Sequence, residues 1–393
     1  MKRFFFILLA LFTLSSSRAV ENGRFSLVTC SPGDEVYSLF GHTALRYVNE
    51  ASGEDDVFSY GYFNFGSPNF VWRFVLGQTD YIIGAVPFEF FIEEYVERGS
   101  QVTEQVLNLT PSQVATLYTL LQENRRPHNR VYRYNYFYAN CTTKARDKFV
   151  ESLGEDCRIV YATDSALRLP TFREAISVMT ATHPWYAFGI DLLMGSDADK
   201  ECTPDELQFV PGNLMNDFGK ATLESAGVSV PAVTATNVLV GENRPQQPHR
   251  NFTPFNVALL LLVLTFIVQL CELRTKKTFW GFDILLMTLQ GAAGCLLLFM
   301  GLFSEHPAVD ANYAILILNP IALVIMSVMV YRIIKHKSMG IAWVMVAFAL
   351  LFFIAGIAGL QCFPAPLYFC AAALLVRSLF HIYKKKICEL DIV

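Results

Sequence analysis

The last third of this chain is too apolar to fold in water alone. Five hydrophobic stretches follow one another, at about 255–271, 284–303, 313–333, 339–360 and 367–383. Each is near the ~20 residues a helix needs to cross a hydrocarbon core. The loops between them set the orientation, because Lys and Arg are retained on the cytoplasmic side. The first loop carries Arg274, Lys276 and Lys277, the third Arg332, Lys335 and Lys337, and the tail Lys384, Lys385 and Lys386. The second loop has Glu305 and Asp310 but neither Lys nor Arg, and the fourth has no charge. This alternation predicts an all-α bundle of five transmembrane helices over 255–383. It places the preceding residues outside the cytoplasm and the tail, 384–393, inside.

The N-terminus agrees. Lys2 and Arg3 precede an apolar run over 4–14 that is too short to span, and Ser17-Arg18-Ala19 offers small residues for cleavage. That pattern predicts a secretory signal peptide over 1–19. An exported domain then occupies 20–227. A stretch at 228–254, rich in Pro, Asn and Gln, reads as a linker into the membrane. Export and a net charge of −4 speak against nucleic acid as a partner. Four cysteines fall in the exported domain, Cys30, Cys141, Cys157 and Cys202. Oxidising surroundings allow disulfides there, and Cys157 with Cys202 is one candidate pair, with the connectivity open.

Two motifs in the exported domain carry chemistry. Phe40-Gly41-His42-Thr43 puts a histidine at the head of a strand over 43–48. Asn140-Cys141-Thr142-Thr143 puts a cysteine at the start of a helix over 142–153. A helix N-terminus and a nearby imidazolium each stabilise a thiolate, lowering its pKa from ~8.5. Cys141 is therefore the candidate nucleophile and His42 the candidate base. Either Thr142 or Thr143 is expected to cap the helix, which would leave backbone N–H groups for an oxyanion. A lone cysteine or histidine is more often structural than catalytic, so the weight rests on the pair. Cys30 is the rival thiol, but it ends a strand over 24–30 and has no helix dipole behind it. The run 57–65 reads as a strand beside His42, so Tyr60 and Asn64 are candidates to orient the imidazole. Asn140 is a candidate to position the nucleophile loop. No spacing resembles a metal site, a phosphate loop or a Gly-x-Ser-x-Gly elbow, and no cofactor is implied.

The motifs and their flanks resemble the bacterial Lnb family. The matching pieces are Cys30-Ser31-Pro32-Gly33-Asp34, the run from Tyr37 to Arg46, Tyr60-Gly61-Tyr62-Phe63-Asn64-Phe65, Asn140-Cys141-Thr142-Thr143, the run from Trp185 to Asp199, and Ser304-Glu305-His306-Pro307. The resemblance implies an α+β periplasmic domain similar to circularly permuted papain-like folds, in which histidine precedes cysteine. Lecithin retinol acyltransferase has the same order. It also implies a multi-pass protein of the bacterial inner membrane that is a lipoprotein N-acyltransferase. The acyl donor would be a membrane phospholipid and the acceptor the α-amine of a diacylated lipoprotein. Read from position alone, His306 and Asn312 in an outward loop are candidates to meet lipid headgroups or are ordinary interfacial polar residues, and Asn319, before Pro320 inside a span, is a candidate to line a substrate groove or part of a simple helix kink. Two other functions use the same residues differently. A cell-wall amidase or peptidase would use the dyad with water, yet would need only one anchoring helix. A non-enzymatic envelope sensor would tolerate loss of Cys141.

Overall fold

The computed structural model describes residues 23–390 apart from 64, 65, 67, 163–167, 245–251 and 336–339. The expected signal peptide and Asn64 lie outside the described residues. The chain divides into two compact units, Met1–Pro170 with Glu201–Gln246, and Thr171–Lys200 with Gln247–Val393.

The first unit is β-rich. Its main sheet contains β1 (Arg24–Cys30), β2 (His42–Asn49), β3 (Glu54–Tyr62), β4 (Asp80–Pro87), β5 (Val102–Leu107), β6 (Val131–Arg133) and β10 (Val233–Val240). They lie in the order β10-β5-β1-β2-β3-β4-β6, every pair antiparallel. A smaller sheet joins β7 (Cys157–Val160), β8 (Thr222–Ser225) and β9 (Val228–Pro231). The helices of this unit are α1 (Phe70–Val75), α2 (Phe88–Arg98), α3 (Pro111–Asn124), α4 (Cys141–Ser152), α7 (Pro204–Leu207) and α8 (Pro211–Lys220).

Period-two alternation gives the main sheet two apolar faces. On one, Phe25, Leu27, Leu45, Tyr47 and Phe58 pack against Leu117 and Leu121 of α3, Phe149 of α4 and Phe218 of α8. On the other, Val28, Cys30, Ala44 and Val57 lie beneath Phe91 and Tyr95 of α2. The α3 helix starts as expected. Thr110 accepts from the Gln113 backbone, Gln113 returns the bond, and Pro111 fills the first turn, where no N–H is needed.

Residues 228–240 were expected to be linker and instead form β9 and β10. The reason is β-branched composition: Val228, Val230, Val233, Thr234, Thr236, Val238 and Val240 favour a pleated strand. β10 pairs with β5 and closes that edge of the sheet.

The second unit is helical and contains α5 (Phe172–Thr180), α6 (Pro184–Leu193), α9 (Pro254–Thr275), α10 (Trp280–Phe303), α11 (Ile321–Ile334), α12 (Ala342–Ile357) and α13 (Ala365–Leu390). Among the described residues, four stretches are long and apolar enough to cross a membrane: Pro254–Thr275, Trp280–Phe303, Tyr313–Arg332 and Ala365–Lys384. The fifth expected span is a shorter helix, α12, of 16 residues. At 1.5 Å per residue it is ~24 Å long, short of a ~30 Å core. It stops where Gly359 turns left-handed, with φ +68°.

The third span is broken. A 3-10 turn over Tyr313–Leu316 precedes Pro320, and α11 starts only after it. Backbone groups freed inside hydrocarbon each cost several kcal/mol unless satisfied. Asn319 donates to the Leu316 carbonyl at 3.2 Å and accepts from the Ala322 N–H at 3.2 Å. Gln290 of α10 donates to the Ile317 carbonyl at 2.6 Å. Gly294 lets α10 reach the break, since a Cβ there would lie 2.5 Å from the Asn319 backbone. Asn319 is therefore buried and capping the break, not lining a groove.

Charges inside this unit are paired. Arg377 of α13 donates to Asp283 at 2.6 and 2.8 Å and to Glu272 at 2.6 Å. His381 lies 2.9 Å from Asp283, and Lys384 lies 3.1 Å from Glu272. The cluster joins α9, α10 and α13. Removing one partner of a buried pair strands the other charge, at a cost of about 3–5 kcal/mol. Arg377→Met should therefore lower the thermal midpoint of the purified protein in detergent markedly. Lys384→Met, which leaves the Arg377 bridges in place, should lower it less.

Candidate active site

The site is assembled where the N-terminus of α4 meets the His42 end of the sheet. Asn140 caps α4. Its side-chain oxygen accepts from the N–H groups of Thr142 and Thr143, both at 2.9 Å, and its amide donates to the carbonyls of Tyr136 at 3.0 Å and Phe209 at 2.8 Å. Thr143 returns a bond to the Asn140 N–H at 3.0 Å. This corrects the expectation that Thr142 or Thr143 caps the helix: the N–H groups of both are used by Asn140. Asparagine is among the best N-caps because its oxygen reaches N2 and N3 while its backbone stays extended. Cys141 thus occupies the first helical position, half-buried.

His42 heads β2. Its Nε2 lies 2.5 Å from the Ser59 hydroxyl on β3. Tyr60 does not serve the imidazole. Its side chain is buried in the opposite face of the sheet, where the hydroxyl donates to Asn124 at 2.6 Å. Strand register explains why. Ala44 pairs with Ser59, so Ser59 shares a face with His42 and Tyr60 does not. Counting parity along the predicted hairpin would have found Ser59.

Gly61 marks the junction. Its φ is +108°, beside a bulge in the β3–β4 pairing. A Cβ there would stand 3.9 Å from the Cys141 Cβ and 4.0 Å from the His42 Cε1. The lack of a side chain keeps the space between thiol and imidazole open.

Burial raises the Cys141 thiol, but the His42 charge, a hydrogen bond from His42, the Thr43 N–H and the Thr142 hydroxyl together outweigh it. The result is a pKa lowered to about 7. The rival thiol goes the other way. Cys30 is buried, and burial pushes its pKa up despite a hydrogen bond with Tyr95. No disulfide joins Cys157 to Cys202. Aromatic rings surround the thiol. Tyr81 stacks on Tyr134 at 4.2 Å and on Phe63 at 4.9 Å, while Phe40 meets Tyr136 edge-on at 4.8 Å. The Tyr81, Tyr132, Tyr134 and Tyr136 hydroxyls are raised, first by burial and also by the thiolate charge, with Tyr81 at about 12.

The remaining expected residues lie in the second unit. Asn312 donates to the Leu192 carbonyl at 2.9 Å and accepts from the Ala314 N–H at 3.0 Å, so its side chain is used within the fold. His306 is half-buried in the same loop. Among the described residues, no group of His, Cys, Asp and Glu could hold a metal ion.

Residues 15–159 match the Lnb N-terminal periplasmic domain, and residues 246–387 match the Lnb transmembrane domain. The chain belongs to the Lnb family. No curated protein and no solved structure matches it. Membership of Lnb makes the β-rich unit a periplasmic domain and the whole a multi-pass membrane protein. The Lnb periplasmic match contains His42, Ser59 and Cys141 alike.

The thiol analysis predicts a pH profile. Alkylation of Cys141 by iodoacetamide, followed by peptide mass spectrometry, should rise through a midpoint near pH 7. In His42→Ala the lowering influences weaken while burial remains, so the midpoint should move upward, past ~8.5. Cys30 should stay unlabelled in the folded protein.

Proposed function

We propose that this protein is a lipoprotein N-acyltransferase with Cys141 as nucleophile and His42 as acid–base. The observation that carries the reading is Cys141 at the first position of a capped helix, meeting His42 across Gly61 with its thiol lowered to about 7, in a periplasmic domain of the Lnb family. Such a thiol is partly ionised at neutral pH without being too weak a nucleophile.

The reaction runs in two displacements. The Cys141 thiolate attacks the carbonyl carbon of a phospholipid ester. The tetrahedral intermediate collapses, the carbon–oxygen ester bond breaks, and the departing alkoxide takes a proton from the His42 imidazolium. The products are a lysophospholipid and a Cys141 thioester. The α-amine of a diacylglyceryl-cysteine lipoprotein then attacks that thioester. His42 takes the amine proton as the amide forms, and the thiolate leaves. Thioesters undergo aminolysis more readily than oxygen esters, which suits cysteine to the transfer.

Each neighbour has a part in this reading. Ser59 holds Nε2 of His42 and so fixes the orientation of the ring. Asn140 consumes the N–H groups of Thr142 and Thr143, so the N–H of Cys141 itself is the helix-terminal donor toward a developing oxyanion. The aromatic rings around the thiol suit an acyl chain and shed water, which would otherwise hydrolyse the thioester. A cysteine at a helix N-terminus against a histidine on a strand is the arrangement expected of a permuted papain-like domain.

Mass spectrometry of a lipoprotein N-terminus tests the reading. Cells making only Cys141→Ser or His42→Ala should accumulate diacylated lipoprotein with a free α-amine, whereas Cys30→Ser should restore the N-acylated form. Full N-acylation with Cys141→Ser would refute it. Ser59→Ala should lower kcat on the order of tenfold to a hundredfold and shift its pH profile, because it alters the base and not substrate binding.

A further inference from the structure

The second unit contains a cavity of about 230 Å³ that the proposed chemistry does not use. Its walls are Ile176 and Thr180 of α5, Ala187 and Phe188 of α6, Phe255 of α9 and Pro366 of α13. Of the polar side chains that reach it, Ser177 lies on the exposed rim, and Arg173, Asp191, Thr180 and Thr253 have partners. Arg173 binds Asp191 and Asp199, the Thr180 hydroxyl donates to the Ile176 carbonyl, and the Thr253 hydroxyl accepts from the Asn256 N–H. The space therefore offers water little to bond to, and an apolar cavity of this kind favours an apolar guest.

Its position names the guest. The α9 helix follows the periplasmic domain, so its first residues, including Phe255, lie at the periplasmic end of a membrane span. Phe255 lines the cavity and is also 43% exposed, on a helix whose Leu259 and Leu260 are exposed as well. The cavity is thus continuous with the surface this helix shows to lipid. Trp185 and Phe252 meet nearby, ring centroids 5.2 Å apart, and the Trp185 indole donates to the Phe252 carbonyl at 2.9 Å. Tyr186 is exposed beside them. Tryptophan and tyrosine collect at the level of the headgroups. A void there would forfeit dispersion contacts along its whole lining, and the nearest filler is a lipid tail.

We propose that this cavity binds one acyl chain of a phospholipid from the periplasmic leaflet. The volume suits a single chain segment and is too small for a headgroup with two chains. The chain enters past the α9 N-terminus and lies between α5 and α6 on one side and the starts of α9 and α13 on the other. No hydrophobic driving force favours leaving the bilayer for it, so the gain is packing.

The test uses the full chain in phosphatidylethanolamine–phosphatidylglycerol nanodiscs doped with a phosphatidylcholine bearing a diazirine near the end of one chain. After illumination, peptide mass spectrometry should find label concentrated in the 171–200 peptides and at the start of α9. Ala187→Trp fills the cavity and should abolish that label, while Leu260→Trp on the lipid-facing surface should not. Ser177→Trp, on the more exposed rim, blocks the mouth without entering the core and should act like Ala187→Trp if that variant fails to fold. Label no denser here than on the outward face of α9, or undiminished in a folded tryptophan variant, overturns the proposal. So does displacement of the label by a diacylglyceryl lipopeptide but not by unlabelled phospholipid, which would give the cavity to the acceptor. Cys141→Ala should be labelled like wild type, so a failure of this site and a failure of acyl transfer are told apart.

Discussion

One asparagine sets the geometry of the candidate site. The Asn140 side chain makes four hydrogen bonds, two accepted by its oxygen and two donated by its amide. That is its full capacity. The accepted pair fixes where α4 begins and so places Cys141 in the first turn. The donated pair holds the tyrosine-rich approach at Tyr136 and the turn at Phe209. Aspartate would cap the helix equally well, but it would turn both donors into acceptors facing carbonyls. It would also set a negative charge beside the thiolate and raise the pKa that His42 and Thr43 lower.

The two thiols at this end of the sheet show how environment, not residue type, decides reactivity. Cys30 is the register partner of His42 across β1 and β2. Proximity in sequence and in the sheet would make it the natural nucleophile. Yet its side chain lies under α2 among Val28, Ala44 and Tyr95, where desolvation dominates. Cys141 is desolvated as well, but it has a cation and two further donors aimed at its sulfur. The difference lies in what faces each sulfur: His42, Thr43 and Thr142 act on Cys141, while Tyr95 and apolar side chains enclose Cys30.

Most of the first unit was legible from pattern. The hairpin of β2 and β3, the α3 helix with its Thr110 cap, and the Cys141 helix follow from alternation, capping residues and proline placement. The meeting of Cys141 with His42 was legible because each sits at a recognisable element boundary. Three things were not. The contact of Ser59 with His42 was hidden because a serine within a strand carries no signature of its own, and strand parity turns Tyr60 away. β9 and β10 escaped because Pro, Asn and Gln further along coloured the reading of 228–254. The membership of 171–200 in the helical unit escaped because nothing local announces it. It depends on tertiary partners, Asn312 for Leu192 and Gln361 for Met194.

In the helical unit the polar groups at the break and the buried charges find partners within the protein, although Gln269 Nε2, Gln290 Oε1 and Arg377 Nη1 are buried without one. The break at Pro320 would be untenable if Asn319 and Gln290 did not take up the carbonyls and N–H it frees. Arg377 would be untenable without Glu272 and Asp283 together. Arg173 follows suit outside the spans. It is buried between Asp191 and Asp199 and also donates to the carbonyls of Met194 and Gly195. Two carboxylates around one guanidinium leave a net negative charge, and burial accordingly raises the Asp191 carboxyl even against the Arg173 cation. Such a cluster is a poor source of stability compared with an apolar core of the same shape. Its effect is geometric: five donors in a rigid plane fix α5, α6 and the turn after them in one arrangement. Arg173 thereby ties α5 to α6, which both line the cavity, and where it reaches that space its guanidinium is already held by Asp191 and Asp199.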